Sequence, residues 1–513
     1  MKIIKKLGLL VCLYVFSIVA IAADGVSIDA LQQQFKRGEL TSVELVERYL
    51  TQIEKHNTDG ANLRAVISLQ QREKLLDVAA KLDAERQAGK YRGPMHGIPV
   101  LLKDNIDTAD GLANTAGSYL LRDHMPPDDA FIVQQLRDAG AIILGKANLS
   151  EWANFRSTNS SSGWSSLGGL VKNPYDTTRT ACGSSSGSAV AVSANFVTVA
   201  VGTETDGSLV CPSAISGVVT IKPTVGLLSR DGIIPISHTQ DTAGPIARSV
   251  ADAVHLLMAM RGVDESDSAS FASDIDYKQS LRRDGLAGKR IGVMRDLAGY
   301  NSQLDQVFNA QLDVLKAAGA IIVDDLEFPN GRNWGGDEYS VLLYEFGEGL
   351  RTYFAQSPHP EFSTLEDLIA ANKAASSVTM KWFGQELFEM ALARQSDREG
   401  YEKALTDARR KAREEGIDAV LSANDLDVLI APTVSPAWKI DFINGDHFTG
   451  SASSAAAVAG YPHITVPMGF VHHMPVGLSF FGTANSEATL IEAAYGYEVR
   501  TQARRAPVLA SPY

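Results

Sequence analysis

The apolar positions of the chain follow two patterns that alternate from one segment to the next. One is a short uninterrupted apolar run of the length of a buried strand, and the other is an apolar residue every three or four positions, as on one face of a helix. Strand-like runs cover 98–102, 141–144, 197–201, 290–294, 321–323, 428–430, 463–468 and 476–481. Helix-like patterns cover 130–139, a stretch after Gly187, 304–317 and 488–499. This alternation predicts an α/β fold in which helices cover a sheet.

Two further segments complete the predicted organisation. Thr41 and Glu44 match a capping box, and the apolar residues after it recur at helical spacing, so we expect an amphipathic helix to start the domain here. Residues 335–425 have mainly helical patterns, and we expect them on the outside of the sheet. Because no Pro/Ser/Gly-rich linker and no internal repeat divides the chain, we expect one large domain.

Composition narrows the class of protein. The 513 residues are 45% hydrophobic and 21% charged, which allows a sizeable core and excludes disordered and fibrous classes. The formal net charge is -13, and no segment combines clustered basic residues with aromatic ones. The charge therefore argues against a nucleic-acid partner.

The first residues have the pattern of an export signal. Lys2, Lys5 and Lys6 precede an apolar run over 7–23, and Ala20-Ile21-Ala22 supplies the small residues of a cleavage site. We expect a signal peptide over 1–22, a mature domain over 23–513, and a periplasmic or secreted protein without a stable membrane anchor. The alternative is an uncleaved anchor, since the apolar run is at the short end of a membrane span.

Cysteines and metal ligands are sparse. Cys12 lies in the predicted signal, so the mature chain keeps only Cys182 and Cys211, too few for a disulfide scaffold. These two residues could be buried thiols or could pair, and the sequence leaves both open. No His/Cys/Asp cluster has metal-ligand spacing, so we expect neither a metal nor an organic cofactor.

Residues 140–147 match a phosphate-binding loop except at the last position, where Ala147 replaces the Ser or Thr that would bind magnesium. The residues between Gly140 and Gly145 also have the composition of a buried strand. We therefore reject nucleotide binding at this segment.

Residues 183–187 match the G-x-S-x-G elbow of α/β-hydrolases, which would make Ser185 the nucleophile of an esterase. Such an elbow follows a buried strand, whereas 172–180 are polar and rich in turn residues. No local spacing selects a partner among the ten histidines. The elbow remains the weaker alternative.

Three other residues form a pattern that is more specific than either of the two matches above, because it combines separate segments of the chain. Lys103 ends the apolar run 98–102, and Ser184 and Ser208 each lie beside a glycine, where backbone can approach a substrate closely. With the segments around them, they resemble the motifs of the amidase signature family, and the resemblance covers nearly all of the mature chain. The matching segments are 96–99, 103–105, 145–151, 183–188, 202–212, 221–224, 241–245, 460–462 and 475–478.

The resemblance implies a mixed sheet between helices and hydrolysis of a carboxamide by a Ser-Ser-Lys triad. Ser208 would be the nucleophile, Ser184 the intermediate serine after a cis peptide bond, and Lys103 the base. The segments 150–156, 203–208 and 342–346 are most similar to bacterial peptide amidases, which remove ammonia from the C-terminal carboxamide of a peptide. Other acyl amides remain an alternative substrate class, and the oligomeric state stays open.

Within the loop before the nucleophile the chain departs from the common pattern of the family. It has Glu204, Asp206 and Val210 where many members have Asp, Gly and Arg. These changes leave the triad serine in place but put the role of the arginine in doubt. We expect Asp206 either to brace the loop or to accept a hydrogen bond from the leaving NH2 group.

The residue types permit a mechanism. A lysine acts as a base only when it is neutral, and burial beside the apolar strand can lower its pKa by several units. Lys103 would deprotonate Ser184, which would deprotonate Ser208 as it attacks the carbonyl and forms an acyl-enzyme. The oxyanion would bind the backbone N–H groups of Thr205, Asp206, Gly207 and Ser208.

Overall fold

A computed structural model describes residues 25–509. The predicted signal peptide and its cleavage site lie outside the described residues. Within them the strands are β1 (Val66–Leu69), β2 (Pro99–Lys103), β3 (Ile142–Ala147), β4 (Trp164–Ser165), β5 (Gly169–Leu170), β6 (Val199–Glu204), β7 (Val219–Lys222), β8 (Thr242–Ala247), β9 (Arg290–Met294), β10 (Ile321–Leu326), β11 (Val428–Pro432), β12 (His463–Val471) and β13 (Met474–Phe481).

The α-helices lie between these strands and after them. They are α1 (Ile28–Arg37), α2 (Ser42–His56), α3 (Arg72–Gln87), α4 (Phe131–Asp138), α5 (Ser186–Ser193), α6 (Val210–Ile215), α7 (Val250–Met260), α8 (Ser302–Ala317), α9 (Gly335–Gln356), α10 (Leu365–Ala374), α11 (Ser376–Thr379), α12 (Glu386–Arg394), α13 (Arg398–Ala412), α14 (Asp418–Asn424), α15 (Ser453–Ala459) and α16 (Glu487–Thr501). No helix of the described chain is both long and apolar enough to cross a membrane.

Eleven of the strands form one sheet in the order β1-β3-β2-β6-β8-β7-β12-β13-β11-β9-β10. β2 pairs in parallel with β3 and β6, and β9 pairs in parallel with β10 and β11, whereas the strands between these groups are antiparallel. The sheet is therefore mixed, and the prediction of an α/β fold with a mixed sheet covered by helices is confirmed.

Antiparallel pairing positions the segments that matter for the site. In the β6–β8 pair, Glu204 lies opposite Thr242, so the loop that follows β6 starts beside the residues that precede β8. β6 also pairs with β2, which brings Lys103 to the same end of the sheet. The helix α5 fills the core behind this end, and all eight of its residues are buried.

Of three further sequence-based predictions, the structure confirms two and shows that one is wrong. Residues 335–425 are mainly helical, as predicted, and α9, α10 and α12 pack with Trp152 and Phe155 in an apolar cluster separate from the main sheet core. The expectation that the helix after Thr41 starts the domain is wrong, because α1 precedes it and buries Ile28, Leu31 and Phe35. The rejected phosphate loop is a fully buried strand, β3.

Candidate active site

Lys103 lies at the end of β2, between β3 and β6, and its side chain is completely buried. Its ammonium nitrogen, Nζ, is 2.7 Å from Ser184 Oγ and 2.7 Å from Thr203 Oγ1, and it is 3.2 Å from the carbonyl oxygen of Thr203. All three partners are neutral oxygens. The lysine thus touches one of the two candidate serines directly and has no carboxylate among these hydrogen-bond partners.

Burial lowers the pKa of Lys103 to about 7, although the more distant charges of Asp241 and Glu204 act in the opposite direction. Desolvation disfavours the ammonium form, and neutral acceptors compensate it less than a carboxylate would. A sizeable fraction of Lys103 is therefore neutral at neutral pH. A neutral amine has a lone pair that can accept the hydroxyl proton of Ser184.

The backbone of Ser184 is held in place by a neighbouring segment that contains Ser150. The peptide bond between Gly183 and Ser184 is cis, as the family resemblance implied. The N–H of Ser150 donates to the Ser184 carbonyl at 3.1 Å, and a Cβ on Gly183 would collide with Ser150 Oγ. A side chain at position 183 would therefore displace Ser150, while Ser184 Oγ contacts Lys103 Nζ on its other side.

Ser208 follows β6 in the loop 205–208 and is 8% exposed. Its carbonyl accepts a hydrogen bond from the N–H of Ser185 at 3.1 Å, which ties the two serine loops together. Within residues 25–509, the N–H groups of Thr205, Asp206, Gly207 and Ser208 donate to no backbone or side-chain acceptor. Free N–H groups beside a candidate nucleophile are available to donate to an oxyanion.

The start of this loop is fixed by polar side chains. Thr205 Oγ1 donates to Asp241 Oδ1 at 2.5 Å, and Gln240 Nε2 donates to the Thr205 carbonyl at 3.3 Å. The other carboxylate oxygen of Asp241 accepts the N–H groups of Ile236 and Ser237. Burial raises the pKa of Asp241 to about 6.

The rest of the loop contacts α9 and the start of α15. Burial raises the pKa of the Asp206 carboxyl group, and Ser453, Glu338 and Ser454 are the polar groups near it. Gly207 has a left-handed backbone (φ +77°), and a Cβ there would lie 3.1 Å from Ser453 Oγ. Of the two expected roles for Asp206, these contacts favour the one that braces the loop.

Glu204 also has a local role in this chain. Its Oε2 accepts the N–H groups of Leu209 at 2.7 Å and Val210 at 3.0 Å, which are free donors at the start of α6. Lys222, whose pKa is lowered by burial to about 8, is the cation that faces Glu204. Glu204 therefore binds the backbone at the start of α6, with Val210 in the place of an arginine.

Ser185, the alternative nucleophile, has structural partners. Its Oγ donates to the Thr203 carbonyl at 2.9 Å and accepts the Thr203 N–H at 3.1 Å, and the residue is completely buried. Among the described residues no histidine hydrogen-bonds to it. This geometry lacks the base that an esterase elbow needs.

The pairing of the cysteines, which the sequence left open, is visible in the structure. Cys182 and Cys211 form a disulfide. Cys182 precedes Gly183 and Cys211 follows Ser208 by three positions, so the disulfide is a second link between the two serine loops, beside the Ser185–Ser208 hydrogen bond. Within residues 25–509 no group of three or more His, Cys, Asp or Glu side chains could hold a metal ion.

Several residues of the site were not singled out by sequence analysis. Thr203 contacts the lysine and lies in a matching segment, but sequence analysis assigned it no role. Gln240, which contacts the loop, and Glu338, which contacts Gln240, lie outside the matching segments. Asp241 did lie in a matching segment, but nothing in its spacing assigned it to Thr205. Only the pairing of β6 with β8 brings that aspartate to the loop.

Comparisons with known proteins show the family of this chain. The model of the Amidase family matches residues 44–491. A probable amidase of Arabidopsis thaliana is 39% identical over 493 residues, 94% of this chain and 91% of that protein. The crystal structure of native peptide amidase from Stenotrophomonas maltophilia is 50% identical, with a TM-score of 0.91, and covers 96% of this chain and 100% of that one. A structure of peptide amidase in complex with the competitive inhibitor chymostatin is also 50% identical, with a TM-score of 0.90 over 94% of this chain and 99% of that one.

Proposed function

This chain belongs to the amidase family, and we propose that within that family it hydrolyses the C-terminal carboxamide of peptides to a carboxylate and ammonia. Membership makes it a hydrolase of amide C–N bonds. The finer assignment is supported by the 50% identity to structures of peptide amidase over almost the whole chain.

One observation carries the proposed mechanism: the contact of Lys103 Nζ with Ser184 Oγ at 2.7 Å, inside a pocket of neutral oxygens. In an amidase the nucleophile needs a base, and the departing nitrogen needs an acid. Lys103 can supply both in turn because its pKa, about 7, lies near the working pH.

The proton would move along the triad in one direction and then return. Neutral Lys103 takes the proton of Ser184, Ser184 takes that of Ser208, and Ser208 Oγ attacks the carbonyl carbon. The resulting oxyanion binds the free N–H groups of the loop 205–208. As the C–N bond breaks, the proton returns along the same path to the nitrogen, and ammonia leaves. Water then enters and repeats the sequence to release the carboxylate.

A primary amide suits this site because its leaving group is small. A pocket that is closed beyond the loop 205–208 admits an NH2 group but leaves no room for a continuing peptide chain. The enzyme would then act on the terminal carboxamide and leave internal peptide bonds intact, without reading a particular side chain.

Mass spectrometry of a peptide amide tests the proposal. The purified mature protein should raise the peptide mass by about one dalton and release one ammonia, with internal bonds intact. Ser208→Ala should abolish this change, while Ser185→Ala, the matched control, should retain it. Internal fragments, or turnover of fatty or aryl amides with peptide amides left untouched, would contradict the assignment. Loss of activity in Ser185→Ala together with retained activity in Ser208→Ala would favour the elbow alternative.

Export is a separate proposal, since the predicted signal lies outside the described residues. The disulfide between Cys182 and Cys211 supports it, because disulfides persist in oxidising compartments. Fractionation of cells should recover the protein outside the cytoplasm with an N-terminus near Ala23. An intact Met1 in the exported protein would contradict cleavage.

A further inference from the structure

A second loop, formed by residues 236–241, binds the start of the loop 205–208, and we call it the bracing loop. Gln240 Nε2 donates to the Thr205 carbonyl at 3.3 Å, and Asp241 Oδ1 accepts the hydroxyl group of Thr205 at 2.5 Å. Two consecutive residues of the bracing loop therefore hold both the backbone and the side chain of Thr205. A displacement of the bracing loop would move Thr205 as well.

Glu345 of α9 binds the bracing loop through one carboxylate oxygen, and its side chain is completely buried. Glu345 Oε2 accepts the hydroxyl group of Ser237 at 2.5 Å, the hydroxyl group of Thr239 at 3.0 Å and the N–H of Thr239 at 3.1 Å. Three donors of the bracing loop thus converge on one oxygen atom. The position of this atom fixes Ser237 and Thr239 together.

The other carboxylate oxygen of Glu345 is held by α13. The hydroxyl group of Tyr401 donates to Glu345 Oε1 at 2.7 Å, and the Tyr401 ring stacks on the ring of Tyr344 with 4.2 Å between the ring centres. His238 Nε2 lies 3.4 Å from the same oxygen, but its side chain is 59% exposed. A buried carboxylate with hydrogen bonds at both oxygens is a fixed point between α13 and the bracing loop.

The same helix contacts the bracing loop at a second place. Gln240 Nε2, which binds the Thr205 carbonyl, also donates to Glu338 Oε1 at 3.0 Å. Glu338 and Glu345 are seven positions apart, which is about two helical turns, so both lie on one face of α9. This face therefore binds the bracing loop at Gln240 and again at Ser237 and Thr239.

We propose that Glu345 is a positioning residue of the oxyanion site: it fixes the bracing loop, which in turn fixes Thr205 at the start of the loop 205–208. The inference rests on the proposed function, because it takes 205–208 as the loop that binds the oxyanion. Oxyanion donors act over a narrow range of distances, about 2.7–3.1 Å, so a small displacement of the loop weakens the transition state more than the bound substrate.

Labelling with an alkyl fluorophosphonate tests the inference without knowledge of the amide substrate. Ser208 Oγ forms a bond to phosphorus and fluoride leaves, while the hydroxyl proton passes through the triad to water and the phosphoryl oxygen takes the oxyanion position. The second-order rate of the mass increase on Ser208 is measured at neutral pH on proteins with native circular dichroism. The proteins are the wild type, Glu345→Ala, Glu345→Gln, Thr205→Val, the double variant Glu345→Ala/Thr205→Val, and the control Glu348→Ala.

The single variants at position 345 should differ strongly. Glu345→Ala removes the acceptor of three donors and should slow labelling at least about tenfold. Glu345→Gln keeps an oxygen that can accept from Ser237 and Thr239, so its rate should stay within about threefold of the wild type. Glu348→Ala removes a partly exposed glutamate on the same helix, which pairs with Arg351, and should keep the wild-type rate.

The double variant separates positioning of the loop from a general structural role. Thr205→Val removes the hydroxyl contact with Asp241 and should slow labelling about tenfold by itself. If Glu345 acts through Thr205, the double variant should be no more than about threefold slower than the slower single variant. If the two residues act independently, the losses should multiply to about a hundredfold.

Multiplied losses would overturn the inference, and so would a wild-type rate in Glu345→Ala or an equal loss in Glu345→Gln and Glu345→Ala. If Glu345→Ala does not fold, Thr239→Val, which removes one donor to the same oxygen, replaces it in the double variant with the same expected lack of additivity. If Ser208 is labelled with the expected pattern while peptide amides are not hydrolysed, the proposed substrate is wrong and the inference stands. Failure to label Ser208 in the wild type would contradict both.

Discussion

Lys103 and Lys146 lie near the carboxyl ends of the neighbouring strands β2 and β3, and both side chains are completely buried. Their surroundings are opposite in character. Lys103 donates to a serine, a threonine and a carbonyl. Lys146 donates to the carbonyl of Ile106 and faces the aspartates. These are Asp104, Asp107, Asp110 and Asp129.

The difference shows that burial alone does not make a lysine a base. Burial lowers the pKa of both side chains, but nearby carboxylates favour the charged form of Lys146. Burial raises the pKa of Asp104 to about 6, although the charge of Lys146 acts in the opposite direction. Lys103 has neutral partners and can release its proton near neutral pH.

The largest effect should come from removing the amine of Lys103. Lys103→Met should lower kcat for a peptide amide by about 10³-fold or more, because the nucleophile loses its base. Far-ultraviolet circular dichroism and the thermal midpoint should stay close to those of the wild type, since no carboxylate is left without a hydrogen-bonded cation. Full activity of this variant at pH 7 would remove the lysine from the mechanism.

Lys146→Met should have the converse phenotype. It leaves buried aspartates without their cation, and we expect a loss of about 3–5 kcal/mol in the free energy of unfolding. The kcat per folded molecule, measured with active-site titration below the unfolding transition, should stay within a few-fold of the wild type. Adding Asp104→Asn should restore part of the stability. If Lys146→Met is stable but inactive, Lys146 takes part in catalysis as Lys103 does, and the comparison fails.

Placing a carboxylate beside Lys103 should convert its surroundings into those of Lys146. Thr203→Asp puts an anion next to Nζ, which should raise the pKa of Lys103 by about one unit or more. Because the neutral form is the base, activity at pH 7 should fall about tenfold and be regained as pH rises. Thr203→Val, which removes the acceptor without adding charge, is the control and should not move the pH profile upward.

The smallest effect should come from Ser185→Ala. It removes two hydrogen bonds to the backbone of Thr203, the residue that contacts Lys103, and should cost about 1–2 kcal/mol of stability. We expect kcat to fall only a few-fold. Chemical denaturation and steady-state rates measured on one preparation separate the two effects. A loss as large as that of Lys103→Met would mean that Ser185 takes part in the chemistry.

Elements with a strong local pattern were predictable from the sequence. The run 290–294 coincides with β9, and the pattern over 304–317 lies within α8. β8 was missed because Gly244 and Pro245 interrupt its apolar pattern. β1 was missed because only Val66 of its four residues is buried, so it has little alternation to detect.

Only part of the site could be derived from the chain in the same way. Lys103, Ser184 and Ser208 stand in segments with recognisable motifs, so their proximity could be expected. Glu338 is 98 positions from Gln240, which it contacts, and a lone glutamate at a helix start has no special pattern. The surroundings that separate Lys103 from Lys146 depend on strand pairing and on loops from distant segments. Such surroundings emerge only after folding.

The pH dependence of kcat/KM for a peptide amide between pH 5 and 8.5 tests the central claim most directly. If Lys103 acts as a neutral base in a pocket of neutral oxygens, the rate should rise through a single limb with a midpoint near its pKa of about 7. Thr203→Asp should move that midpoint upward, whereas Lys146→Met should leave it in place. A rate independent of pH, or a limb that stays in place in Thr203→Asp, would contradict the account.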